Sequence, residues 1–446
     1  MTQALNDLTA GQSGFGQGGF GNPPFSATPY SAGPPAAPAA PTLRWNGPTW
    51  GLTGLGFLNF FLSVITLGIY GFWGRTEVRK RIWSSIELND EPLAYTGTGK
   101  ELFLGFLIVF GIVLVPVLLL TIGTLIAFGP KSPAQTVVQL TLGIGFIFLG
   151  GVASYRARRY RMSRTAWRGI RGSLEGSSGT YGWATFWTTL LVPLISAILF
   201  GIWYLANFGF AAPNLPNQAA QGAFLAANWF WIAALYFILI VGSLFIVPWR
   251  TTKLNRHITN DMAFGSRPFT FTGSSKPLYA RFIARWIGVL ILFIATPAAI
   301  YLWIGNARIA AIGIGSQTGR PVPLTGSEIG GIIAILFLAS ILYSILTAWY
   351  KARELNYFAS VTRYDGQPFR LAVTARGLIW LVLSNAPLTL FTLGIMRPVA
   401  QARTAKYIVE NMTLEGPIDF NAIAQSTAQR SKTGEGLAQA FDVDAF

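Results

Sequence analysis

Six long apolar runs constrain this chain more than any other feature. They cover roughly 102–128, 136–154, 183–206, 224–248, 286–304 and 329–349. Each is near the ~20 residues that cross a bilayer as a helix. Inside lipid no water satisfies the backbone, so a continuous run of this kind has helix as its workable conformation. Tryptophans at the run ends (Trp183, Trp229, Trp249, Trp286, Trp303, Trp349) fit an interfacial belt. Only 11% of residues are charged, against about 25% in a soluble domain. The fold class expected is an all-α polytopic membrane protein.

The loops between the runs alternate in charge. Those near 129–135, 207–223 and 305–328 are almost neutral, and those near 73–101, 155–182, 249–285 and 350–376 are dense in Arg and Lys. Of the 33 basic residues, only Lys131, Arg308 and Arg320 fall in the neutral set. Basic loops stay in the cytoplasm, which orients the chain and accounts for a net charge of +16 without nucleic acid as a partner. Met1 to Ala10 has no basic residue and no apolar core, so no cleavable signal peptide is expected.

Three regions follow. Residues 1–41 are rich in Gly, Pro and Ala and read as a disordered tail. Residues 42–420 form the membrane domain, and 421–446 read as a flexible C-terminal tail. The basic loops resemble one another. Trp73, Trp249 and Trp349 each precede a proline (Pro92, Pro268, Pro368) by 19 residues, and a base follows eight residues later at Lys100, Lys276 and Arg376. The unit reads as membrane helix, basic amphipathic helix, turn, short strand, next membrane helix. Residues 155–182 and 397–420 hold degenerate copies.

Two further apolar segments, 51–72 and 377–396, admit two readings. They align over Asn59/Asn385, Leu62/Leu388, Thr66/Thr392, Leu67/Leu393, Gly68/Gly394 and Ile69/Ile395. As re-entrant or shallow hairpins they keep both basic flanks in the cytoplasm. As spans they make eight crossings, with both termini outside.

Candidate functional residues are few. The chain has no Cys, which removes thiolate nucleophiles and Cys-based metal sites. The single histidine, His257, cannot make a metal site without convergent ligands. The loop acids Glu77, Glu87, Asp90, Glu91, Asp261 and Glu354 have no acid/base spacing and are expected to compensate nearby bases. Gly97-Thr98-Gly99-Lys100 lacks the full phosphate-loop pattern. No catalytic, cofactor or metal residue is assigned, and the chain is expected not to be an enzyme. Each outgoing segment carries an interior proline, Pro116, Pro193, Pro297 or Pro387, as a candidate helix kink. The densest arginine set, Arg156, Arg158, Arg159, Arg161 and Arg164, offers headgroup contacts to anionic lipid.

The block Thr66-Leu67-Gly68-Ile69-Tyr70-Gly71-Phe72-Trp73, with Arg75, Arg79, Lys80 and Arg81, then Leu88-Asn89-Asp90 and Tyr95 to Phe103, resembles the YjgN-like family of bacterial inner-membrane proteins of unknown function. The resemblance spans roughly 43–420 and implies localisation and architecture. It brings no catalytic residues. The second copy, Thr392-Leu393-Gly394-Ile395, departs from the pattern at Met396-Arg397-Pro398. Two functions remain: a passive or facilitated pathway for a small solute, shaped by the prolines, and a membrane-organising or anionic-lipid-binding protein without transport. The spans lack ionisable groups in their interiors, which disfavours proton coupling.

Overall fold

A computed structural model describes residues 40–425, apart from 131, 210–217, 307, 310, 312 and 314–321. The tail expected at 1–41 lies outside the described residues except for its last two, as does most of 421–446. Among the described residues the helices are α1 (Thr53–Ile65), α2 (Gly71–Ser84), α3 (Gly99–Phe128), α4 (Pro133–Arg164), α5 (Ser178–Phe208) and α6 (Gln218–Ala227). They continue with α7 (Trp229–Asn260), α8 (Tyr279–Ile304), α9 (Gly326–Ser360), α10 (Ala375–Phe391) and α11 (Arg397–Glu410). Six are long and apolar enough to cross a membrane: α3, α4, α5, α7, α8 and α9. Their starts are fixed by side-chain caps. Thr98, Ser132, Ser177 and Thr374 each accept a backbone N–H three residues on, and Thr325 forms a reciprocal box with Glu328.

The strands are β1 (Leu43–Trp45), β2 (Ile86–Leu88), β3 (Glu91–Pro92), β4 (Ala94–Tyr95), β5 (Thr165–Trp167) and β6 (Ile170–Leu174). The rest are β7 (Met262–Phe264), β8 (Arg267–Phe271), β9 (Thr362–Tyr364), β10 (Gln367–Leu371) and β11 (Met412–Leu414). Every helical excursion leaves from one strand and returns to an antiparallel partner. The pairs are β1 with β2, β4 with β5, β6 with β7, β8 with β9, and β10 with β11. Between excursions the chain turns tightly. Asn89-Asp90, Arg168-Gly169 and Asp365-Gly366 all have positive φ, and Gly265 alone does so in its turn. Those are the two left-handed patterns that suit the twist of a two-residue hairpin. The result is one eight-stranded meander, β4 to β11, beside a three-stranded sheet of β1 to β3.

One backbone bond recurs in each excursion. Asn46, Thr96, Glu175, Thr272 and Ala372 follow the outgoing strand and donate to the carbonyls of Ser85, Arg164, Asp261, Val361 and Asn411. These acceptors lie where the returning helix ends, and carbonyls there lack an intrahelical partner. A side-chain brace recurs as well: Arg159, Arg256 and Asn356 each donate to a carbonyl 17 residues on, at Gly176, Gly273 and Val373.

This plan bears directly on the two ambiguous segments. The strand before α1 pairs with the strand after α2, and the strand before α10 pairs with the strand after α11. Each pair of helices therefore leaves a sheet and returns to it, the hairpin arrangement rather than that of a single span. At 1.5 Å per residue, α1 and α10 are about 20 and 25 Å long, short of the ~30 Å hydrocarbon core. The middle units differ from the sequence expectation in two ways. Membrane helix and basic helix are one continuous helix of 32, 32 and 35 residues in α4, α7 and α9. Each of the three middle basic loops also carries two strands rather than one.

Helices pack in chain order: α2 on α3, α3 on α4, α4 on α5, α5 on α7, α7 on α8, α8 on α9, α9 on α10, α10 on α11, and α11 back on α1. The spans bury at most 17% of their apolar windows inside the protein. The tightly packed side chains, among them Trp167, Tyr155, Tyr160, Leu102 and Leu278, gather toward the strand side. Packing extends past the expected boundary at 420. Ile418 and Ile423 are buried, Phe420 meets Trp167 edge-on, and Gln425 bonds to Gly169 and Arg171.

Candidate functional site in the paired short hairpins

The first hairpin (α1–α2) and the last (α10–α11) turn by the same device. Gly68 donates to the Ser63 carbonyl at 2.6 Å and Leu67 to that of Val64 at 3.2 Å. Gly394 donates to Thr389 at 2.8 Å and Leu393 to Leu390 at 3.1 Å. This is the paired-bond helix stop that places its penultimate residue in the left-handed region, usually as glycine. Here that residue is Leu67 or Leu393, each at φ 50°. A left-handed leucine costs roughly 1–2 kcal/mol. Neither packs on the protein: Leu67 is 93% exposed and Leu393 80%. Ile65, Ile69, Leu390 and Phe391 are exposed around them. Thr66 and Thr392 brace the turns, each donating to the carbonyl four residues back and accepting the amide four residues on.

Behind the tips the arms are tied by matching asparagines. Asn59 donates to the Gly74 carbonyl and Asn385 to that of Ala400, both at 3.3 Å. The amide oxygens then differ. In the last hairpin, Arg403 fills the space between the arms, bonding to Asn385 Oδ1 and Ser384 Oγ at 2.8 Å each. The residue aligned with Arg403 in the first hairpin is Glu77, which is exposed and pairs with Lys80 at 2.8 Å. Asn59 Oδ1 is consequently buried without a donor.

The two hairpins share one core: Leu52, Val78 and Ile82 from the first, Val399 and Ala402 from the last. The backbones approach closely at Gly56, where a Cβ would lie 2.3 Å from the Ile395 carbonyl oxygen. Beside this contact is a cavity of about 300 Å³ lined by both hairpins. Its polar lining residues include Asn59, Ser63, Gln401, Arg75, Arg79 and Arg397, and its apolar ones include Phe60, Leu393 and Ile395. Among the described residues no carboxylate lines it. Arg79 is buried and reaches the Tyr95 hydroxyl, while Arg397 stands exposed at the rim.

The residues singled out from sequence are distributed differently. Arg159 donates to the Leu174 and Gly176 carbonyls, Arg164 pairs with Glu101 at 2.7 Å, and Arg161 is buried. Arg158 is partly buried, and Arg156 is exposed beside Ser178. Pro116 lies two residues beyond a π-helical turn at Phe110–Leu114, a widening that absorbs the missing N–H. Pro193, Pro297 and Pro387 lie within continuous helices. His257 sits edge-on to Tyr181. Among the described residues no three metal-ligating side chains cluster. At the strand turns, the Arg168 guanidinium forks onto both oxygens of Glu91 at 2.6 and 2.8 Å and holds that carboxyl below its usual range.

Sequence reasoning did not find the cavity. Arg75 and Arg79 are more than 300 residues from Arg397 in the chain, and nothing local joins them. The available signal was the alignment itself, which sets Glu77 against Arg403 beneath two otherwise matching asparagines.

Fold and site together define a polytopic, mainly helical membrane protein whose excursions all hang from one strand platform. A family model described as "Bacterial protein of unknown function (DUF898)" matches residues 40–440, and the chain belongs to this family. Among its relatives is a protein named inner membrane protein YjgN from Salmonella typhimurium strain LT2, 24% identical over 81% of this chain and 85% of the relative. Another of the same name, from Escherichia coli strain K12, is 21% identical over 84% of this chain and 88% of the relative. No solved structure matches the chain.

Proposed function

We propose that this chain is an integral protein of the bacterial inner membrane that binds and orders anionic lipid in the cytoplasmic leaflet, without enzymatic turnover. The names of its relatives support the membrane, and the basic loops support a cytoplasmic strand platform. The matching register of 43–88 and 369–414 supports a domain built by repetition.

The observation that carries the reading is the pair of exposed left-handed leucines. Glycine would remove roughly 1–2 kcal/mol of strain at each tip. Burying a leucine side chain returns about 1.5–3 kcal/mol, so leucine is favoured where the tip enters lipid and disfavoured where it meets water. Both hairpins then dip into the leaflet nearest the platform, with Arg75, Lys80, Arg81, Arg397 and Lys406 at headgroup depth.

The solute pathway draws less support. Many hydroxyls within the spans are spent on their own helices: Thr121, Thr141, Ser154, Thr188, Thr296 and Ser344 each donate to the carbonyl four residues back. Such groups leave little polarity to line a route. The test places a cysteine at Ile65 of this Cys-free chain and labels it with an environment-sensitive fluorophore in nanodiscs. Quenching by lipids brominated near the glycerol backbone, with protection from aqueous iodide, is the expected result. Iodide quenching equal to that at an exposed loop would refute the dipping tips.

A further inference from the structure

We infer that the cleft inside the first hairpin is a binding site for a phosphodiester that carries a hydroxyl donor, the chemistry of a glycerol-phosphate headgroup. The inference rests on the reading that the hairpins sit in the leaflet.

Three features of the cleft select this ligand. Arg75, Arg79 and Arg397 give the walls three positive groups and no carboxylate, and guanidinium forks match phosphate oxygens. Asn59 Oδ1 is a buried acceptor with no donor. A phosphate oxygen cannot satisfy it, whereas a hydroxyl next to the phosphate can. Phe60, Leu393 and Ile395 add apolar surface to the lining, which suits the first carbons of an acyl chain beside a headgroup. The volume, about 300 Å³, is at the small end for ligand pockets and suits a headgroup rather than a whole lipid.

The last hairpin supplies the control within the same molecule. There Arg403 already donates to the equivalent oxygen of Asn385 and occupies the space between the arms. The first hairpin keeps the same frame and places Glu77 at that position, facing out toward Lys80. One hairpin is internally satisfied, and the other is left for a ligand to complete.

The experiment titrates the purified full-length chain in detergent with short-chain phosphatidylglycerol, followed by calorimetry. Phosphatidylmethanol supplies the same diester charge without the hydroxyl. Phosphatidylcholine supplies a zwitterion without a donor, and free glycerophosphoglycerol supplies the diester headgroup without acyl chains. Phosphatidylglycerol is expected to bind about fivefold tighter than phosphatidylmethanol, as one hydrogen bond gives, and tighter still than phosphatidylcholine. Binding of glycerophosphoglycerol to the same site would assign a soluble source, and lipid-only binding assigns the membrane. Either supports the site.

Two variants test the location. Glu77→Arg places an arginine where the last hairpin has Arg403, and Arg397→Gln removes the exposed rim charge. Glu77→Arg is expected to weaken phosphatidylglycerol about tenfold although it adds positive charge, with the melting temperature held or raised. Nonspecific attraction to a basic surface predicts the opposite change. Unaltered phosphatidylglycerol affinity in both variants, or no preference over phosphatidylmethanol, overturns the inference. Failure of the tip-quenching test with these titrations intact would instead overturn the leaflet reading alone.

Discussion

Two glycines two residues apart on α1 should respond to alanine with opposite sign. At Gly56 an added Cβ would lie 2.3 Å from the Ile395 carbonyl oxygen, and the blocking atom is backbone. Relief needs the last hairpin to retreat by about 0.7 Å or α1 to rotate, and overpacking of this kind costs about 1–3 kcal/mol. Gly54 has nothing within 4 Å of its Cβ position. There Gly→Ala removes only backbone entropy of the unfolded chain and stabilises by about 0.5–1 kcal/mol. Thermal unfolding followed by tryptophan fluorescence in one detergent reads both. Spin labels on Leu67 and Leu393 read the separation of the tips. Gly56→Ala should lower the midpoint and widen the tip distance, and Gly54→Ala should raise the midpoint and leave the distance unchanged. Equal effects of the two, or an unmoved tip distance in Gly56→Ala, would refute the packing of the first hairpin on the last.

Cysteines at Ser26 and Ser431 should resist an impermeant thiol reagent in intact cells and react after permeabilisation, because both hairpins return the chain to the platform. The arginine set at 156–164 should divide. Arg156→Gln should weaken anionic-liposome binding by about 1 kcal/mol at low salt, whereas Arg159→Gln, which cuts bonds to Leu174 and Gly176, should lower the melting midpoint instead. Glu91 has a folded pKa below its ordinary 4.5 because Arg168 bonds to it. Its contribution is therefore present above that value and is lost as pH falls through the lowered one. Arg168→Gln should flatten the acid limb of stability below about pH 5, read by melting midpoints across pH.

The spans were legible because ~20 apolar residues admit few structures. Their cytoplasmic extensions were harder to place. Arg156 to Arg164 read as a separate amphipathic helix because polarity changes there, yet α4 runs through without a break. Strands of two to five residues, such as Ala94–Tyr95, are too short to show a period of two. Their pairing is set by the helices that bring them together. The aligned asparagines were visible as a pair. What each one bonds to was not, because the decisive difference lies 18 residues further on, in Glu77 and Arg403.

The shared core of Leu52, Val78, Ile82, Val399 and Ala402 has a consequence for biogenesis. The first hairpin leaves the ribosome before Val399 and Ala402 exist to cover it, and that partner surface is synthesised more than 300 residues later. At roughly 5–20 residues per second that interval is tens of seconds. During it Leu52 and Ile82 have only lipid, a chaperone or a neighbouring chain to cover them. A chain truncated before Val399 never closes the circuit. It leaves an unpaired β10 edge beside exposed apolar side chains, and the circuit closes only once β11 has been made.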